Sequence, residues 1–152
     1  HPLCGEAREV AREWVMWLKN ELPHYIKNTS IKRIAFLTGG ETTVTLRGNG
    51  RGGRNQEMAL AFAIAAQEHA FEGKWIFLAG GSDGIDGTSP AAGGLVDAQT
   101  VSRICARDLS PHALLEDNNS YCALKTAGDL VLTGATGTNV ADLQILLFET
   151  DN

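Results

Sequence analysis

Residues 39–57 read GGETTVTLRGNGRGGRNQE, and the rest of the chain can be laid out from this stretch. It holds six of the chain's 17 glycines, three arginines and two glutamates, with almost no apolar bulk. A strand-like run, Ile34-Ala35-Phe36-Leu37, feeds into it, and a nearly continuous apolar run from Met58 to Ala66 leads out. Strand, glycine-rich turn and buried helix in succession are the pattern of an α/β protein. Glycine in such numbers brings backbone close to something, or makes turns with positive φ. Arginines between the glycines suggest that the something carries negative charge.

Upstream, Ala7, Val10, Ala11, Trp14, Val15 and Leu18 fall on one face of a helix that Pro23 should end near Leu22. The region from His1 to Glu13 reads as polar and helical, so the chain opens into a helix with no lead-in, which leaves two expectations: an N-terminal portion has been removed, or this domain normally follows another. Ile34 to Thr38 and Thr43 to Leu46 read as two strands, and Asn55 as the cap of the helix that follows, with Glu57 in its first turn. Downstream, Trp75 to Ala79 is a strand and GGSDGIDGTSPAAGG (80–94) a second glycine-rich loop. A helix is expected over about 97–107, a short one after Ser110-Pro111, and another from Asn118 or Asn119 to Gly128. Leu130 to Thr133 and Leu143 to Phe148 are the last strands.

Three runs echo one another: Phe36-Leu37-Thr38-Gly39-Gly40-Glu41, Phe77-Leu78-Ala79-Gly80-Gly81-Ser82 and, more loosely, Leu130 to Ala135. Were these strands parallel neighbours, their turns would share one sheet edge, where ligands of open α/β sheets bind. That edge would gather Glu41, Ser82, Asp83, Asp86, Thr136, Thr138 and Asn139. The expected fold is α/β, a three-layer αβα single domain with a mixed, partly parallel sheet.

With 152 residues the chain has the length of one domain, and its 43% apolar and 20% charged residues are ordinary for a globular protein. A net charge of −5 argues against nucleic acid or an anionic membrane as partner. No run approaches the roughly 18 apolar residues of a membrane span, and no signal peptide is visible. Cys4, Cys105 and Cys122 match no zinc spacing and read as small buried hydrophobes or idle thiols, which points to a reducing, cytoplasmic setting. The histidines, His1, His24, His69 and His112, have no metal-ligand spacing and read as incidental.

Several motifs compete for the chemistry. Gly48 to Gly53 satisfies G-x-G-x-x-G, but the acidic residue that a dinucleotide site wants at the end of the next strand is replaced by Gly80-Gly81. Gly80-Gly81-Ser82-Asp83-Gly84 fits the G-x-S-x-G nucleophile elbow, yet Gly84, Gly87 and Pro90 disfavour the helix that should follow, and nothing places His112 beside the serine. An anion site keeps the physics without the cofactor: backbone amides of Gly50, Gly52 and Gly53, the helix start at Asn55, and Arg51 and Arg54 nearby. A loop with solvated arginines explains the same residues equally well. Asp83 and Asp86 could hold Mg²⁺ jointly with substrate phosphates, or could simply be turn residues. Thr138 and Asn139 suit polar recognition.

The segments Gly5-Glu6-Ala7-Arg8-Glu9-Val10-Ala11, 39–57, 80–94 and TGATGTNVADL (133–143) closely resemble the C-terminal (MOFRL) domain of class II glycerate kinases, a family also labelled hydroxypyruvate reductase. The resemblance runs the length of the chain, 1–152. It implies part of a two-domain enzyme that transfers the γ-phosphoryl of ATP to D-glycerate with Mg²⁺, usually giving 2-phosphoglycerate. It further implies an N-terminal Rossmann-like domain closing over the substrate, with a lysine facing an arginine that here is Arg54. On that basis Arg54 is the catalytic candidate. Gly50, Arg51, Gly52, Gly53, Asn55, Glu41, Ser82, Asp83, Thr138 and Asn139 are candidates for substrate or phosphate binding, and Asp83 and Asp86 for metal. A stand-alone, non-catalytic module that binds a small anion or a partner protein is the alternative, and an NAD(P)-dependent hydroxypyruvate reductase a third reading. The oligomeric state stays open, a homodimer included.

Overall fold

The computed structural model describes residues 3–27 and 32–150; His1 lies outside them. The sheet has six strands, β1 (Leu3–Glu6), β2 (Arg33–Thr43), β3 (Lys74–Gly81), β4 (Gly93–Asp97), β5 (Leu130–Val131) and β6 (Asp142–Glu149), in the order β1-β2-β6-β3-β4-β5. Five helices, α1 (Ala7–Lys27), α2 (Arg54–Glu68), α3 (Thr100–Cys105), α4 (Pro111–Glu116) and α5 (Ser120–Ala127), complete an α/β domain with a mixed sheet.

β1 pairs parallel with β2, whereas β6 is antiparallel to both β2 and β3, and β4 to both β3 and β5. The three echoing strands β2, β3 and β5 therefore run the same way without touching, each separated from the next by an antiparallel strand. Their C-terminal ends do share one edge, and Asp142 opens β6 at that edge, paired with Gly40 and Gly81.

α2 is the central helix. All residues from Asn55 to Ala66 are buried, as the apolar run from Met58 predicts. Phe62 stacks on Phe77 of β3 with centroids 4.0 Å apart, and Trp14 of α1 meets Phe77 edge-on at 5.4 Å. Aromatic pairs of this kind add about 0.5–1.5 kcal/mol beyond their buried area. The helices cover the sheet face bearing Phe36, Phe77, Val96 and Leu146. The opposite face, with Leu37, Ile76, Leu95, Leu143 and Leu147, is exposed among the described residues.

Other sequence expectations need correction. The chain opens with strand β1 before α1. α1 continues through Pro23 to Lys27, because Ile26 packs on the core and Tyr25 meets Phe36 edge-on at 5.7 Å. β2 runs unbroken through Gly39-Gly40, where ladder hydrogen bonds to β1 and β6 need no side chain, and Val44 to Leu46 lie outside it. The segment expected to be all loop contains β4, whose two glycines carry no strand signal, and α3 begins only at Thr100. Cys4 and Cys105 are exposed rather than buried. Two helix ends are as expected: Ser110 Oγ accepts from the Ala113 N–H, and α5 ends at Gly128 in the left-handed region, while Asn119 precedes α5 without a side-chain cap bond.

Candidate functional site

Where the C-terminal ends of β2 and β3 meet the start of α2, a cleft of about 750 Å³ opens. Gly50, Gly52, Gly53, Arg54, Asn55, Asp83, Asp86 and Asn139 line it, so most of the residues singled out in the sequence do converge. Glu41, Arg51, Ser82 and Thr138 do not line it. Arg51 lies 4.7 Å over the Tyr121 ring and donates from Nε to the Thr88 carbonyl. Ser82 Oγ accepts from the Val140 N–H at 2.8 Å, and its turn is followed by no helix. His112 pairs with Glu68 instead, which removes the nucleophile-elbow arrangement.

The glycine stretch differs most from expectation. The amides of residues 47–51 point at the chain's own acceptors. Arg47 and Gly48 N–H donate to Asn118 Oδ1, Asn49 N–H to Asp117 Oδ1, Gly50 N–H to the Asp117 carbonyl and Arg51 N–H to Asn119 Oδ1. A Cβ on Gly50 would overlap Asn119 and the Asp117 carbonyl, so glycine is required here for close approach to the α4–α5 junction, not to a ligand.

The helix N-terminus is also taken. Asp86 accepts from Asn55 N–H (3.1 Å) and Asn55 Nδ2 (3.3 Å) on Oδ1, and from Gln56 N–H (2.8 Å) and Gln56 Nε2 (2.9 Å) on Oδ2. Helix α2 thus carries its own anion at the positive end of its dipole, and Gly53, not Asn55, is the N-cap residue. A Cβ on Gly53 would overlap the Asp86 carboxylate. Burial raises the Asp86 pKa above the ordinary carboxylate value, and the bonds from Gln56 and Asn55 only partly offset it. With both oxygens committed to N–H donors, Asp86 does not fit as a metal ligand. Asp83 keeps one oxygen uncommitted, the other accepting from the Ile85 N–H at 3.0 Å. Among the described residues no three His, Cys, Asp or Glu side chains are grouped to hold a metal.

Arg54 is the first residue of α2, where its charge opposes the dipole. Asp142 holds it: Arg54 Nε donates to Oδ2 at 2.6 Å and Nη2 to Oδ1 at 3.1 Å, a fork-on-carboxylate pair. Glu41 Oε1 is 3.5 Å from Nη2. The bond to Asp142 raises the Arg54 pKa above its ordinary value, against the burial that lowers it. No described residue bonds Nη1. Arg54 is the only basic side chain among the cleft residues, and its side chain is 36% exposed.

Sequence reading missed Asp142. Its signal was its place on the buried parity of β6, with Gln144, Leu146 and Phe148, where a lone carboxylate needs a partner. It also missed how Arg8 supports the loop. Arg8, 3% exposed, donates to Glu57 Oε1 at 2.9 Å, to Glu116 and to the Leu115 carbonyl. Glu57 Oε2 in turn accepts from Asn118 Nδ2, whose Oδ1 holds Arg47 and Gly48. Burial pushes the Arg8 pKa down, but its bond to Glu57 and the charges of Glu57, Glu116 and Glu6 together outweigh that, and it ends above its ordinary value.

Residues 34–142 match the MOFRL family. The chain is 45% identical over 141 residues to the D-glycerate 2-kinase of Thermotoga maritima, covering 92% of this chain and 32% of that protein. It is 45% identical over 148 residues to an Agrobacterium vitis protein that carries a hydroxypyruvate reductase name, covering 95% and 32%. The crystal structure of the Thermotoga maritima glycerate kinase superposes with a TM-score of 0.84 at 44% identity, over 97% of this chain and 34% of that one. A Pyrococcus horikoshii protein superposes with a TM-score of 0.82 at 33% identity, over 99% and 33%. The chain thus spans about a third of the length of these relatives.

Proposed function

The chain belongs to the MOFRL family, and on that premise we propose that it is the C-terminal part of a two-domain glycerate kinase, supplying one wall of the cleft in which the γ-phosphoryl of ATP passes to D-glycerate. In this reading an N-terminal Rossmann-like domain supplies the other wall, and the product is 2-phosphoglycerate. Relatives at 45% identity that are three times as long support the two-domain arrangement. The observation that carries the role of this wall is the cleft-lining Arg54, held through Nε and Nη2 on Asp142 with Nη1 bonded by no described residue.

Phosphoryl transfer asks a protein mainly for positioning and charge stabilisation. Arg54 does both. Its fork is fixed on Asp142, so binding an anion through Nη1 costs little further ordering. The charge count explains why one wall is not a complete site. Arg54 is offset by Asp142, Glu57 by Arg8, and Asp86 by the helix N-terminus, while Asp83 and Glu41 keep negative charge near the cleft. Bound phosphates need further cations, which the lysine of the other domain and the Mg²⁺ that accompanies ATP would bring. Asp83 can offer that ion one oxygen; Glu41 is the second carboxylate available for a hydroxyl or hydrated-ion contact.

The test is ATP-dependent phosphorylation of D-glycerate by the full-length protein that carries this chain, wild type against Arg54→Ala. Loss of one preorganised donor in a water-poor site lowers kcat/KM by roughly 10²–10³-fold. Unchanged kcat/KM would remove the role of Arg54, and oxidation of NADH with hydroxypyruvate in place of phosphorylation would favour the reductase.

A further inference from the structure

Buried polar side-chain atoms without a hydrogen-bond partner among the described residues are Thr42 Oγ1, Asn55 Oδ1, Gln56 Oε1 and both amide ends of Gln144. Two of these residues, Thr42 and Asn55, line the same cleft as Arg54. Thr42 is 3% exposed at the end of β2, and Asn55 is 1% exposed in the first turn of α2, next to Arg54. Native proteins pair nearly all such groups, so two unpaired ones on residues that line the cleft of Arg54 call for a partner.

Chemistry restricts that partner. Asn55 Nδ2 donates to Asp86 Oδ1, and a carboxylate oxygen only accepts, so the amide orientation is fixed and the other end of Asn55 is an acceptor. Thr42 offers a hydroxyl that donates or accepts. An ionised carboxylate or a fully ionised phosphate has no proton to give Asn55 Oδ1. An alcohol does: its proton goes to Asn55 Oδ1 while its oxygen accepts from Thr42 Oγ1. We propose that Thr42 and Asn55 form a hydroxyl-reading pair that, with the carboxylate of the acceptor on Arg54 Nη1, selects a hydroxy acid over a plain carboxylic acid. The assignment rests on the kinase reading above for the identity of the hydroxy acid. The chemistry of the pair stands apart from phosphoryl transfer.

Two measurements on the full-length protein separate them: phosphorylation of D-glycerate, and calorimetric affinities for D-glycerate and for propionate, which has no hydroxyl. Thr42→Val keeps the shape and removes only the hydroxyl. It is expected to weaken D-glycerate binding by roughly 10- to 100-fold, the worth of one buried hydrogen bond left unmade. Propionate affinity is expected to change less than twofold, and Thr42→Ser to restore glycerate binding. The melting temperature of the ligand-free valine variant should not fall, because an unpaired buried hydroxyl has been removed. A purely structural threonine would shift that temperature and leave the glycerate-to-propionate ratio alone. Equal affinities of the wild type for glycerate and propionate would overturn the pair, as would a folded Thr42→Val variant with an unchanged ratio. If the valine variant does not fold, Thr42→Ala is read the same way. Wild-type protein that prefers glycerate through Thr42 but does not phosphorylate it would overturn the kinase reading and leave the pair standing.

Discussion

Asp86 decides what occupies the positive end of α2, and it is the chain's own carboxylate. Sequence reading left two possibilities there, a ligand anion at the helix N-terminus or a loop with solvated arginines, and neither named Asp86 as the charge. Because burial raises its folded-state pKa, Asp86 holds its proton more tightly in the folded than in the unfolded chain. The stability this brings is full below the ordinary carboxylate pKa and is lost as pH rises through the raised one. At neutral pH, Asp86→Asn should cost about 1–3 kcal/mol, since an amide nitrogen would face Gln56 or Asn55 N–H groups. The stability gap between wild type and variant should widen as pH is lowered from neutral towards the ordinary carboxylate range. Urea denaturation at several pH values checks both points, and a gap independent of pH would refute the second.

The helices show where local rules hold. The apolar face of α1, the buried run of α2, the Ser110 cap and the Gly128 stop all act within a few residues, and all are legible in the sequence. Pro23 marks the limit. A proline in a helix interior removes a hydrogen bond and clashes with the preceding turn, so Leu22 looked like the end. The last turn persists because Ile26 and Tyr25 find partners on the core and on Phe36. Pro23 itself is exposed and offers little packing in return. Pro23→Ala should therefore raise stability by about 1–3 kcal/mol, read as a higher midpoint in guanidinium chloride with an unchanged slope. β4 was missed for the opposite reason. Gly93-Gly94 has no intrinsic strand preference and is extended only because β3 and β5 flank it.

At the scale of the whole molecule, the sheet is apolar on both faces while the described helices cover one. Leu37 is 71% exposed and Leu147 50%, with Ile76, Leu95 and Leu143 beside them across four strands. An apolar surface spread over several strands exceeds what a monomeric domain ordinarily leaves in water. A preparation of this 152-residue chain should bind the dye 8-anilinonaphthalene-1-sulfonate at neutral pH, and the double substitution Leu37→Lys, Leu147→Lys should lower that fluorescence severalfold without changing the circular dichroism spectrum. Dye binding equal in both proteins would place the apolar surface elsewhere. Net charge, by contrast, was readable from composition alone. The acidic balance agrees with a cleft in which Arg54 is the only basic side chain among four carboxylates.

The sequence by itself determined the α/β class, the central helix, the common direction of the three echoing strands and the convergence of most candidate residues on one edge. These follow from periodicity, caps and turn composition, which act over a few residues. Only the tertiary structure decided what those residues do. Arg54 and Asp142 are 88 positions apart and meet because β6 inserts between β2 and β3, in a register that sets Asp142 opposite both Gly40 and Gly81. Residues 47–51 lie against residues 117–119, some 70 positions away, and spend their amides there. Composition gave a glycine loop, an acidic loop and an arginine. Which of them pair internally and which face the cleft depends on strand order and register, and no local preference encodes those.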